Sequence, residues 1–189
     1  MLTAGELRKG LTIELDNDLF QIVDYQHIKM GRGGAVVRLK LRNIRSGYIT
    51  ERTFPASEKF RRVFLERRRV QYLYRDDDLY YFMDTETFEQ WTLSAQQIGE
   101  DAQYLKEGMT LDLLLHEGTP IGIELPVTVD LKVVETEPGV RGDTATGGSK
   151  PAILETGMKV LVPLFVNVGD VIRVDTRTGE YVERVSEGR

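Results

Sequence analysis

"KMGRGGAVVRLKLR", residues 29–42, decides how the rest of the chain is read. From Ala35 onward the residues alternate: Ala35, Val37, Leu39 and Leu41 against Val36, Arg38, Lys40 and Arg42. A period of two places one set on a buried face of a β-strand and the other on the opposite face. That outer face carries Arg38, Lys40 and Arg42 in a row. Upstream, residues 19–25 are apolar and partly β-branched, the pattern of another strand. Residues 29–34 therefore read as the end of a hairpin, with Arg32 set among Gly31, Gly33 and Gly34. Glycine permits positive φ and adds no bulk. Arginine offers a planar fork of donors suited to phosphates and base edges. A plain turn accounts for the glycines but not for a loop so poor in other side chains. With Arg38, Lys40, Arg42 and Arg45 behind it, the tip reads as a thin cationic blade suited to reaching into folded RNA.

Outward from this hairpin, most of the chain reads as strands. Arg45-Ser46-Gly47 is a turn, and 48–54 returns as a strand. Several short strands in the first sixty residues suggest a small barrel. From Leu65 a second unit begins. Residues 70–84 form two strands around Asp76-Asp77-Asp78, 88–93 a third, and 94–105 is the best helix, interrupted at Gly99. Strands at 109–115 and 121–125 flank a turn at 117–120 and bring the unit to five. A third unit follows with strands expected at 126–136, 152–154, 158–165, 168–175 and 181–185, and a polar loop at 139–149. The expected division is 1–64, 65–128 and 129–189, an all-β chain of three modules. Modules of about 60 residues are near the lower limit for folding alone, so packed interfaces between them are expected.

The net charge of −5 is unevenly distributed. Residues 1–64 carry +5, 65–130 carry −9 and 131–189 carry −1. A basic first third on an acidic body is a polarised molecule, with the basic end suited to nucleic acid. No apolar run is long enough to span a membrane, the first residues lack the layout of a signal peptide, and there is no Cys. A soluble cytoplasmic protein, without a membrane partner, is the expectation.

Enzyme chemistry finds little to stand on. The two histidines, His27 and His116, fall in different modules. No Cys/His set offers zinc spacing, and Asp76-Asp77-Asp78 lacks the spacing of a calcium loop. Residues 31–34 are followed by an alternating strand rather than a helix, so they are not a phosphate-binding loop. No catalytic residue, metal or cofactor is expected.

Four stretches carry a family resemblance. Lys29, Gly31, Arg32 and Gly33 fit K-x-G-[K or R]-G. "GVRGDT", residues 139–144, is followed by "GGSKPA". Residues 150–170 supply Lys150, Ala152, Gly157, Val160, Val162, Pro163 and Gly169 at signature spacing, and "DTRTGEYVERV" covers 175–185. Together, in order and over the whole length, they resemble bacterial elongation factor P. The resemblance implies an SH3-like (KOW-like) barrel followed by two oligonucleotide-binding (OB) barrels in an L-shaped, tRNA-like arrangement. It also implies a monomer that binds both ribosomal subunits between the peptidyl and exit sites and relieves stalling at consecutive prolines. On this reading Arg32, framed by Lys29, Gly31 and Gly33, faces the acceptor end of the P-site peptidyl-tRNA. Gly142, Asp143 and Thr144 face the mRNA codon in the E site. Tyr181 and Arg184 belong to the same surface, and Arg38, Lys40 and Arg42 are candidates to face RNA. Many family members carry a lysine at the tip and extend its amine. Arg32 has no such amine, and the two glycines after it set it apart from arginine-bearing relatives that receive a rhamnose, so a bare arginine is the expectation. The competing reading is a general single-stranded RNA binder that stacks bases on Tyr72, Tyr74, Tyr80 and Tyr81.

Overall fold

A computed structural model describes residues 1–138 and 148–188. Its strands form three five-stranded antiparallel sheets, one after another along the chain. The first contains β1 (Thr12–Leu15), β2 (Asp18–Met30), β3 (Gly34–Asn43), β4 (Ile49–Pro55) and β5 (Arg61–Val63), in the order β4-β3-β2-β1-β5. The alternation at 35–42 does what its period requires. Val37, Leu39 and Leu41 are fully buried, packed with Ile13, Ile22 and Phe60. Ala35 is exposed, because it lies beyond the end of that core.

The second sheet comprises β6 (Glu66–Asp76), β7 (Leu79–Asp84), β8 (Gln90–Ser94), β9 (Thr110–His116) and β10 (Thr119–Glu124), ordered β10-β9-β6-β7-β8. The third comprises β11 (Thr128–Thr136), β12 (Ser149–Leu154), β13 (Lys159–Pro163), β14 (Val171–Asp175) and β15 (Tyr181–Ser186), ordered β13-β12-β11-β14-β15. Counted from each unit's own first strand, both sheets follow the order 3-2-1-4-5. Their edge strands, β8 with β10 and β13 with β15, curl back within reach of each other. The two units therefore share one half-closed barrel topology, that of the OB fold. Each has its own core, around Phe82, Leu111 and Leu113 in one and Leu131, Leu154 and Val174 in the other.

Local chemistry adjusts several expected boundaries. Phe88 does not open a strand: it sits at φ +64° in the turn before β8. That turn is organised by Asp84, whose carboxylate accepts the N–H groups of Glu86 and Thr87. Those bonds hold the Asp84 carboxyl below the usual carboxylate range. The helix expected at 94–105 is a single α-helical turn, α1 (Ala95–Ile98), capped by the Ser94 hydroxyl. At Gly99 the backbone swings to φ +63°, and the rest continues as 3-10 turns to Tyr104. The turn between β9 and β10 needs only Glu117 and Gly118, at φ +50° and +81°, so Thr119 and Pro120 already belong to the strand.

The units pack on one another. Leu19 and Ile44 of the first meet Leu114 and Ile121 of the second, and all four are buried. Between the second and third, Tyr104 joins the third core. There the Thr156 hydroxyl donates to the Gln103 carbonyl at 2.5 Å, and Lys106 pairs with Glu155 at 3.4 Å.

Candidate functional site

The β2–β3 hairpin is the longest among the described residues. Its pairing runs from Phe20 with Asn43 to Met30 with Gly34, leaving Gly31, Arg32 and Gly33 as the turn. β4 accompanies β3 as far as Val36 opposite Pro55, with one more bond from the Ala56 N–H to the Ala35 carbonyl. The last rungs and the turn therefore project beyond the sheet, by about two residues or ~7 Å plus the turn itself. β1 leaves β2 after Gln21, and the register shifts between Ile22 and Asp24. Such a bulge bends the strand and increases its local twist.

Residues 31–34, Arg32 among them, are exposed. The glycines differ in their reasons for being there. Gly34 has φ +78°, a left-handed conformation that a side chain resists. Gly31 and Gly33 are not in that region, and a Cβ at either would meet nothing within 4 Å. Of the positive φ that glycines around Arg32 permit, the turn uses it only at Gly34. The chain's own fold gives no reason for the bareness of positions 31 and 33.

Charge along the blade is graded. Lys29, Arg32 and Arg38 have no carboxylate within 4.0 Å among the described residues. Lys40 likewise makes no ion pair within 4.0 Å among the described residues, but its cross-strand neighbours are Asp24 on β2 and Glu51 on β4. Asp24 also pairs with Lys9 at 3.5 Å. Farther down, Arg45 is tied to Asp18 at 3.7 Å. The exposed hairpin cations without an acidic cross-strand neighbour therefore lie toward the tip. Arg42 departs from the expected RNA-facing row. It is half-buried in the cleft against the second unit, beside Gly99 and Asp101, and its Nε is buried without a hydrogen-bond partner. Strand alternation gave its face, but only the second module covers that face.

In the third unit, Gly142, Asp143 and Thr144 lie outside the described residues. The segment rejoins at Gly148 and Ser149, which border an open groove of about 720 Å³ between β13 and the β14–β15 turn. Leu161, Phe165, Lys159 and Tyr181 line it. Burial pushes the Tyr181 hydroxyl up from its ordinary value. Arg184 is occupied internally: it reaches Asp170 at 3.5 Å and Glu187 at 2.8 Å and lies 4.7 Å over the Phe165 ring. The signature residue Lys150 is buried, its ammonium donating to the Glu137 carbonyl, where the backbone departs toward the 139–147 segment.

The tyrosines of the general-binder reading are mostly spoken for. Tyr72 and Tyr80 are core residues. Tyr74 and Tyr81 are stacked on each other at 4.6 Å, in the most acidic third.

Three family descriptions match this chain in order. They are the KOW-like domain of elongation factor P over residues 3–60, its OB domain over 65–123 and its C-terminal domain over 129–184. The elongation factor P of Moorella thermoacetica is 56% identical over 184 residues, which is 97% of this chain and 100% of that one. That of Natranaerobius thermophilus is 55% identical over 185 residues, 98% of each. The chain belongs to the elongation factor P family. Membership makes it a translation elongation factor with a KOW-like domain and two OB-type domains. Among solved structures, an initiation factor 5A from Methanococcus jannaschii superposes with a TM-score of 0.46 at 25% identity, over 66% of this chain and 90% of that one. The bare, cationic tip thus belongs to the KOW-like domain of an elongation factor P family member, and the groove to its C-terminal domain.

Proposed function

We propose that this elongation factor P family member binds the ribosome between the P and E sites and promotes peptide-bond formation at consecutive prolines by steadying the peptidyl-tRNA. The units are taken as 1–64, 65–128 and 129–189, arranged as an L and acting as a monomer in the cytoplasm. One observation carries the reading. Positions 31 and 33 are bare although neither backbone strain nor crowding within the chain asks for it. The constraint then comes from outside: a narrow place into which Arg32 must be delivered.

The physics of the task fits such a device. Proline is a cyclic amine with fixed φ, and bond formation at a proline end waits on a restricted alignment. A factor that holds the acceptor end of the tRNA acts through proximity and orientation. It supplies no acid, base or nucleophile and uses no cofactor, because the ribosome carries the catalytic centre. Arg32 contacts the acceptor end with Lys29, Gly31 and Gly33 shaping the approach, and Arg38 and Lys40 follow along the phosphates. In the third unit, Gly142, Asp143 and Thr144 face the E-site codon of the mRNA, and Tyr181 belongs to the same surface. The acidic second unit turns away from RNA, since phosphates repel it.

The test is translation in vitro of a reporter with three prolines in a row, with and without the protein. Relief of the stall by the wild type, lost in Arg32→Ala while ribosome binding persists, supports the proposal. No relief, or relief undiminished in Arg32→Ala, contradicts it. A mutant that loses only about one phosphate contact of salt-sensitive affinity points to general RNA binding instead.

A further inference from the structure

The cleft between the first and second units is more closely fitted than an incidental contact between barrels. On one side Gly47, at φ +77°, lies so close to the second unit that a Cβ there would collide with the carbonyl oxygen of Gln96. On the other, Gly99, at φ +63°, ends α1 and leaves room for the Arg42 guanidinium, which a Cβ would displace. Arg42 thus reaches from β3 of the first unit into a notch of the second. Asp101 lines the same small cavity of about 30 Å³, and its carboxyl is pushed above the usual range by burial, with Arg42 opposing that shift. Two glycines in the left-handed region, one from each unit and each against the other unit, fix the spacing. The apolar contact of Leu19 and Ile44 with Leu114 and Ile121 closes the same interface.

We infer that this contact is a lock that sets the direction of the tip hairpin, and that Arg42 is a positioning residue within it. Arg42 and the tip share one strand. From Arg42 to Gly34 is eight residues, or about 27 Å at ~3.4 Å per residue. A swing of roughly 10° at the lock displaces the tip by about 5 Å on that lever arm. A misplacement of even ~1 Å can cost on the order of a hundredfold in rate where alignment is the whole contribution. The lock stands on geometry alone; its consequence for translation rests on the proposed function.

The test uses the full chain, which has no cysteine of its own. Thr53→Cys and Thr87→Cys place nitroxide labels on exposed positions of the first and second units. Their separation is measured by pulsed electron resonance in the parent and in Arg42→Ala, Arg42→Lys, Gly47→Ala and Gly10→Ala backgrounds. Gly10 is the control for backbone strain, with φ +90° and no neighbour within 4 Å of an added Cβ. The expected result is one narrow distance in the parent and in Gly10→Ala. Arg42→Ala and Gly47→Ala shift or broaden it, and Arg42→Lys falls between. In the triple-proline assay, the rate at saturating factor falls at least tenfold in Arg42→Ala and Gly47→Ala and is retained in Gly10→Ala. An unchanged distance in both Arg42→Ala and Gly47→Ala, or an equal change in Gly10→Ala, overturns the lock. Moved distances with undiminished stall relief, where Arg32→Ala abolishes relief, overturn the positioning role. Should the wild type relieve no stall, the proposed function fails while the distance comparison still decides the lock.

Discussion

Substituting the tip glycines one at a time separates what the hairpin needs from what its target needs. Gly34 is at φ +78°, so Gly34→Ala forces a side chain into the left-handed region at about 1–2 kcal/mol. Gly31 and Gly33 lie outside that region with open space around an added Cβ. There an alanine restricts the unfolded chain without straining the folded one, and stability holds or rises by about 0.4–1 kcal/mol. Thermal unfolding reads this directly: Gly34→Ala loses about 2–4 °C per kcal/mol, while Gly31→Ala and Gly33→Ala lose nothing. The triple-proline assay is expected to rank them differently. Gly31→Val combined with Gly33→Val widens the tip on both sides of Arg32 and is expected to reduce stall relief at least tenfold in a fully folded protein. If the widened tip works as well as the wild type, the bareness has no external cause and the reasoning about the tip fails. If Gly31→Ala and Gly33→Ala are as destabilising as Gly34→Ala, the glycines serve the turn alone.

Other expectations follow from the same geometry. The slope of log affinity for ribosomes against log salt is expected to shrink by about 0.7–0.9 in Arg38→Ala. It should shrink less in Lys40→Ala, because Asp24 and Glu51 flank Lys40; equal slopes would refute the graded charge. Asp84 is held below its ordinary value by the N–H groups of Thr87 and Glu86. Burial opposes the ionised form of Asp170, yet hydrogen bonds from Asn167 and Gly188 and the charge of Arg184 leave its carboxyl lowered as well. A carboxyl depressed in the folded state stabilises above its unfolded value of about 3.9 and loses that contribution as pH falls through the folded value. Acid unfolding followed by circular dichroism is therefore expected to begin below about pH 4 and to flatten in Asp84→Asn and Asp170→Asn. Phe88 is 67% exposed at φ +64°, so Phe88→Gly is expected to stabilise the protein by about 1 kcal/mol, read in denaturant unfolding; a loss would mean that the ring packs.

Residues 35–42 show why so much of the fold could be read from the sequence. An apolar residue at every second position names both the strand and its buried face, and Val37, Leu39 and Leu41 obey. The Asp77-Asp78 turn between β6 and β7 was equally legible, since Asp tolerates the positive φ found at Asp77. Arg42 was not, because its outward face is covered by a module whose approach no local pattern announces. Phe88 was misread for a related reason. An aromatic residue beside Gln90 and Trp91 resembles the start of a strand, and only the hydrogen bonds from Glu86 and Thr87 to Asp84 reveal a turn. The break expected at Gly99 in the 94–105 helix is where α1 ends, and the same glycine leaves room for Arg42, which no local pattern announces. At the candidate site, the Gly-Arg-Gly tip was visible as a motif. Its distinction between Gly34, required by φ, and Gly31 and Gly33, required by nothing within the chain, came only with the structure. Residues 139–147 lie outside the described part, so Gly142, Asp143 and Thr144 rest on the family resemblance.

Everything turns on where Arg32 goes. Electron cryomicroscopy of the protein on ribosomes stalled at three prolines, with peptidyl-tRNA in the P site, measures this directly. The expected map places the Arg32 guanidinium within hydrogen-bond distance of the acceptor end of that tRNA, with tRNA backbone packed against Gly31 and Gly33. A map with the tip free in solvent, or resting on ribosomal protein away from the tRNA, contradicts it.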